Sequence, residues 1–309
     1  MNRPGATELA AALTGVQVGS ALVVSRALVE TIDPVPLAFL RYAIGTLILV
    51  PAALAARSSL HVQRRDLIPI ALCGIVQFGL LIVLLNASLR MLPSAPAALI
   101  FATMPLIALI IGIVVGQERW NRRRGAAILA AIVGLALALG PDARGLGGDR
   151  LGGELLAVAA ATCGAASSVA VRPYVRRYGA LPVSGVAMLA SVAFLGCWAA
   201  LTGELGAVDV RGRDLAGVVF LGVASGVGYL LWLWAIARST ASHVAVFLSL
   251  SPVTALVLGW LALGESLTTT MIAGLLLTLG ALWLSATVNP GEPLARQPGR
   301  RRPSPPRRR

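Results

Sequence analysis

One long apolar segment, interrupted by a central proline and closed by a glutamate, occurs twice in the chain. The first copy is 96–118, with Pro105 inside it and Glu118 at its end; the second is 243–265, with Pro252 and Glu265. The two prolines are 147 residues apart, and so are the two glutamates. An ordered match of this kind over about twenty apolar residues indicates an internal duplication. The remaining residues are therefore read as two halves built around these segments. The match extends beyond the opening pair. Glu8-Leu9 reappears as Glu154-Leu155, Arg26 as Arg172 and Pro36 as Pro182, all at an offset of 146, and Arg90 reappears as Arg238 at 148. The competing explanation is a chance alignment of Leu/Ala-rich helices.

The apolar runs need a solvent. Apolar residues make up 57% of the chain and charged residues 13%, against roughly 25% in a soluble domain, and mean hydropathy is +0.82. A bilayer satisfies this pattern, and a span takes about 20 residues. Ten spans are expected, at 8–29, 37–56, 67–89, 94–116, 125–140, 153–172, 181–202, 214–237, 241–263 and 268–288. The fifth is short by that measure. Loops are brief and rich in turn formers, and the longest glycine-rich one, 140–149, falls between spans five and six, where the halves join. No cleavable signal peptide is expected, because the first apolar run is long enough to span and is followed by others.

The net charge of +13 would suggest nucleic acid in a soluble protein. Here every basic residue is Arg and most lie between apolar runs, so the charge reads as topology. With the N-terminus inside, Arg3, Arg57, Arg64, Arg65, Arg119, Arg122, Arg123, Arg124, Arg172, Arg176, Arg177, Arg238 and seven tail arginines are internal. Arg90, Arg144, Arg150, Arg211 and Arg213 are external, and the bias holds without the tail. Both termini are expected in the cytoplasm. Five spans per half make the second half enter from the opposite side. The expected fold is thus an all-α integral membrane protein, ten transmembrane helices as two inverted five-helix repeats around a central cavity. Its units are 1–146, 147–288 and an Arg/Pro-rich cytoplasmic tail, 289–309, expected to be disordered. Inverted repeats are the construction of secondary transporters, with the solute near midplane between the halves.

The chain at this point resembles the drug/metabolite transporter superfamily, and within it the EamA family. The resemblance rests on Pro36-Leu-Ala-Phe-Leu-Arg41-Tyr, on Pro105 with Gly116-Gln-Glu118 before Gly125, and on Ser251-Pro252 with Gly264-Glu265 before Gly274. It covers about residues 8–287, and departs in the second half, where Ala187 stands at the position equivalent to Arg41. It implies a bacterial inner-membrane carrier, commonly an exporter of amino acids or related metabolites.

Several residues are candidates for chemistry. Pro105 and Pro252 each remove a backbone donor and bend a span, as hinges beside a cavity or as static kinks. Glu118 and Glu265 either pair with arginines to lock the two gates or end their helices as ordinary interfacial residues. Arg26 and Arg41 lie within apolar runs, where a central arginine costs at least about 3 kcal/mol. Arg41 is read as holding a substrate carboxylate or an outer gate, or as an ion pair with the loop containing Glu30 and Asp33. Gln17, Gln77 and Asn86 are buried amides that bind solute or join helices. Tyr229 and Trp232 share a helix face after the small-residue run 224–228, and Phe101 and Phe247 precede the two prolines. Ser249 completes the expected substrate set. Cys73, Cys163 and Cys197 lack metal spacing and read as packing residues.

No Asp, Glu or His is expected at the centre of a span, which points to a carrier with weak or no obligatory ion coupling. Neither metal nor cofactor is expected. The partners are a small-molecule solute and the lipid bilayer, without nucleic acid, and the chain is expected as a monomer or weak dimer. Alternatives are a carrier of nucleotide-linked sugars or lipophilic cations, a proton-coupled importer, a channel, and an intramembrane enzyme. The enzyme would need convergent catalytic groups that no motif here supplies.

Overall fold

A computed structural model describes residues 4–55, 62–118, 120–140, 148–207, 210–236, 247 and 250–287, and among these there is no strand. α1 (Pro4–Leu28) and α2 (Pro34–Ala55) are joined by a five-residue turn, with Pro34 at the first position of α2, where its missing N–H costs nothing. α3 (Arg64–Gly74) passes through a π-helical turn, Ile75–Leu80, into α4 (Leu81–Met91). α5 (Ser94–Ala102) and α6 (Met104–Val114) are two parts of one rod. The rod breaks at Thr103, just ahead of Pro105, and the Thr103 hydroxyl donates to the Ile100 carbonyl at 2.6 Å. α7 (Arg122–Leu139) starts on Asn121, whose side chain accepts the Arg123 N–H. α8 (Gly148–Tyr178), α9 (Ala180–Leu201), α10 (Arg213–Ile236), α11 (Leu250–Leu263) and α12 (Thr269–Thr287) complete the bundle.

Seven of the described helical segments are long and apolar enough to cross a membrane: Glu8–Leu28, Pro34–Pro51, Arg64–Met91, Ser94–Val114, Asp149–Tyr178, Ala180–Leu201 and Arg213–Leu231. Leu250–Leu263 and Thr269–Ser285 are shorter apolar helices. The chain is a multi-pass membrane protein. The expected fifth span coincides with α7, which carries Arg122, Arg123 and Arg124 in its first turn. The start of the expected ninth span, including His243, and the tail 289–309 lie outside the described residues.

Helix directions follow from which residues meet. α1 runs parallel to α11, with Gly15 against Leu250 and Gly19 against Thr254; α8 runs parallel to α6, with Gly164 against Met104 and Val169 clustered with Ala108. α2 and α10 are parallel, through Ile44–Gly222 and Ile48–Gly226. So are the α3–α4 rod and α9, through Gly74–Ala187 and Gly79–Phe194. α1 crosses α10 antiparallel, through Gln17–Gly228 and Leu28–Gly217, and α4 crosses α8 antiparallel, through Leu81–Gly164 and Met91–Gly153. α7 and α12 pack antiparallel at backbone contact distance, Gly134 meeting Thr278 and Ala138 meeting Gly274, because neither glycine holds a Cβ in the way. Between hydrocarbon-solvated helices, such small-residue seams supply the close van der Waals packing that holds a bundle together.

Candidate functional site

Four helices converge on a polar and aromatic group in the bundle interior. The Arg41 Nε, on α2, donates to the Ser225 hydroxyl of α10 at 2.6 Å, and its guanidinium carbon lies 5.6 Å from the Tyr42 ring centre. Tyr42 meets Phe78 edge to face at 5.4 Å, and Phe78 meets Tyr229 in the same way at 5.5 Å. The Tyr229 and Ser184 hydroxyls are hydrogen-bonded at 2.7 Å, which brings in α9. Tyr42, Phe78, Ser184 and Ser225 are buried, while Arg41 and Tyr229 are half-buried. The π-helical turn puts Phe78 between the two tyrosines.

Arg41 hydrogen-bonds inward, to a hydroxyl of another helix. A guanidinium has five N–H donors, and that of Arg41 spends one on Ser225; no carboxylate pairs with it among the described residues. The loop acids are taken elsewhere, Glu30 by Arg26 at 2.8 Å and Asp33 by Arg90 at 2.6 Å. The loop ion pair weighed for Arg41 is therefore replaced by an inward hydrogen bond.

The three amides separate. Asn86 is 1% exposed and donates to the Pro34 carbonyl at 3.2 Å, fastening α4 to the first turn of α2. The Gln77 carbonyl oxygen accepts a very short hydrogen bond from the Ser167 hydroxyl of α8. Gln17 lies flat against Gly228, one residue before Tyr229. Phe101 packs on the main apolar cluster of the bundle, and Phe247 packs with Ala10, Ala11 and Leu231 near the start of α1. Pro105 is exposed and Pro252 buried in the first turn of α11. The side chain of Trp232, and Ser249, lie outside the described residues.

The two glutamates both bridge distant segments, on opposite faces of the bundle. Glu118 receives Arg172 at 3.2 Å and Arg124 at 3.3 Å. Glu265 has no arginine partner among the described residues. Its carboxylate accepts the Ser94 N–H and the Ser94 hydroxyl, each at 2.7 Å, and so caps α5. Each glutamate follows a left-handed glycine, Gly116 (φ 74°) or Gly264 (φ 67°), and its own N–H returns to the carbonyl of Gly112 or Gly259. Beside Glu118, Asp66 gathers Arg177 at 3.0 Å and the Tyr178 hydroxyl.

Sequence reading does not single out Tyr42, Phe78, Ser184 or Ser225. Only Ser225 left a signal, since it stands 148 residues after Gln77, the offset that relates Arg90 to Arg238.

Comparison with known proteins follows the same division of the chain. A sequence model of the EamA-like transporter family matches residues 6–140 and again 151–287. A protein of Streptantibioticus cattleyicolor named as a probable terminal-alkyne amino-acid exporter is 30% identical over 207 residues, covering 66% of this chain and 67% of its own. Uncharacterised transporters of Clostridium kluyveri (24% identical; 79% of this chain, 80% of theirs) and Bacillus subtilis (22%; 83% and 88%) are similar over more of their length. A protein of known crystal structure shares the fold, with a TM-score of 0.68 at 23% identity, over 92% of this chain and 97% of that one.

Proposed function

The chain belongs to the EamA-like transporter family, and from that premise we propose that it is an inner-membrane exporter of amino acids or closely related small metabolites. It works by alternating access between two inverted halves, 1–146 and 147–288, with both termini cytoplasmic. The observation that carries the solute class is Arg41, a guanidinium with donors to spare beside three aromatic rings. It lies seven residues into α2, about 10 Å along the helix from its end. A planar fork of N–H groups matches a carboxylate. Aromatic rings such as Tyr42, Phe78 and Tyr229 suit an ammonium, and the Ser184 and Ser225 hydroxyls are the polar groups beside them. An α-amino acid satisfies these demands at once. One relative's name as a probable amino-acid exporter supports both solute and direction.

Inversion is supported by the pairing of helices. Exchanging the halves turns α1–α11 into α8–α6, α2–α10 into α9 with the α3–α4 rod, and α1–α10 into α8–α4. Each pair keeps its relative direction under that exchange. The self-paired α7 and α12 run antiparallel, as a two-fold axis in the membrane plane requires. Glu118 and Glu265 act as latches between halves, one at each face, and the break at Thr103–Pro105 serves as a hinge. Gln17 and Gln77 border the solute path. Transport has weak or no obligatory ion coupling in this reading, which the lack of an Asp, Glu or His at the centre of a span supports.

The test is efflux from cells overexpressing the chain, challenged with a panel of toxic amino-acid analogues. Resistance with accelerated efflux of at least one analogue is expected, and Arg41→Ala should remove it. Counterflow in proteoliposomes with the pH gradient collapsed should persist. No response to any carboxylated solute would overturn the solute class, and exchange that requires a proton gradient would overturn the uncoupled mechanism.

A further inference from the structure

The π-helical turn Ile75–Leu80 has a counterpart that is not π-helical. At the offset of 148 that relates Arg90 to Arg238, it corresponds to 223–228 of α10, which is regular α-helix. The two segments share one contact under exchange of the halves and differ in another. Gly74 presses on the Ala187 backbone of α9, and Gly222 presses on Ile44 of α2, the helix equivalent to α9. Gln77 bonds Ser167 of α8, whereas Ser225 bonds Arg41 of α2. Both segments face the central group, one contributing Phe78 and the other Ser225, with Tyr229 directly after it.

We infer that the two segments exchange helix type during transport: in the opposite-facing state 75–80 is α-helical and 223–228 takes the π form. Gln77 and Phe78 are thereby positioning residues, set in the site by one register and withdrawn by the other. A π-turn accommodates one extra residue, so its conversion slips the adjoining helix by one position. That turns each side chain by about 100° at 3.6 residues per turn. Such a turn in 75–80 carries Phe78 out from between Tyr42 and Tyr229. The complementary change in 223–228 swings Ser225 away and releases Arg41. The composition of the second segment permits this. Gly222, Ala224, Ser225, Gly226 and Gly228 carry almost no side chain to fix a register, and glycine is a weak helix former. Against the first segment, the Ser191 hydroxyl of α9 is fully buried, faces Gly79 and has no hydrogen-bond partner among the described residues. A buried hydroxyl left unsatisfied is costly, so a repacking that gave it a partner would be favoured.

This inference rests on the reading of two exchanging halves, but its test needs no solute. Amide hydrogen exchange is followed by mass spectrometry on the full chain in lipid nanodiscs, for the wild type, Glu118→Gln and Glu265→Gln. Each substitution weakens one of the two bridges and biases the bundle toward opening at one face. In one variant the amides of 75–80 should exchange about tenfold faster than those of 223–228, and in the other variant the order should reverse. The same order in both variants overturns the switch. Deleting Val76 removes the extra residue of the turn and fixes 75–80 as α-helix. That variant should fall below about a tenth of wild-type efflux, and wild-type efflux from it would also overturn the switch. Should it fail to fold, the exchange measurement alone decides. Absence of amino-acid efflux from the wild type, with the exchange order reversing as expected, would sink the solute assignment and leave the switch standing.

Discussion

Arg41 and Asn86 were equally visible as polar residues in apolar runs, yet they do different work. Among the described residues the Arg41 guanidinium donates only to Ser225, beside Tyr42, whereas the Asn86 amide donates to the Pro34 carbonyl. Arg41→Lys retains the charge but loses the planar fork. It should raise the half-saturating solute concentration in proteoliposome efflux by about tenfold, the equivalent of about 1.4 kcal/mol, with the maximal rate largely kept. An unchanged half-saturation would remove the carboxylate contact. Asn86→Ala removes the bond that ties α4 to α2 and should lower stability by about 0.5–1.5 kcal/mol, read as a fall in the unfolding temperature in detergent, while half-saturation stays put. The sequence could not separate these two residues, because their partners are 184 and 52 positions away. Tyr42 and Phe78 were hidden for a related reason. An aromatic residue in an apolar span carries no mark of what it faces, and the π-turn that aims Phe78 has no signature in composition.

At the scale of elements, the duplicated proline–glutamate segment located both glutamates but not their partners. Glu118 meets Arg172 and Arg124, and Glu265 caps the start of α5. The difference has unequal consequences. Arg124 is only 8% exposed, so Glu118→Ala leaves a buried guanidinium without its carboxylate and should cost on the order of 1–3 kcal/mol. Glu265→Ala removes a helix cap, at about 0.5–2 kcal/mol, and frees the end of α5 from α11. Thermal unfolding in detergent measures both losses, and no loss in either variant would show that these contacts do not hold the bundle. The break ahead of Pro105 was legible from the proline itself; the hydroxyl bond that closes it, from Thr103 to Ile100, was not.

On the scale of the whole molecule, most of the architecture was in the apolar periodicity and in the offsets near 147. Seven of the described segments are long and apolar enough to span, where ten spans were expected, and the family model matches twice, over 6–140 and 151–287. What the offsets could not supply is which helices touch. The small-residue seams of α2 with α10, α1 with α11 and α7 with α12 decide that, and small residues are too common in membrane helices to be paired by eye.

The central claim is that the second half lies upside down relative to the first. Glu30 and Arg176, 146 residues apart and both exposed, are equivalent positions in the two halves. In a background with Cys73, Cys163 and Cys197 replaced by serine, a single cysteine is placed at each in turn. Cells are then treated with a membrane-impermeant maleimide before and after permeabilisation. The account predicts that the cysteine at position 30 is labelled in intact cells and the one at 176 only after permeabilisation. Labelling of both from the same side would contradict it.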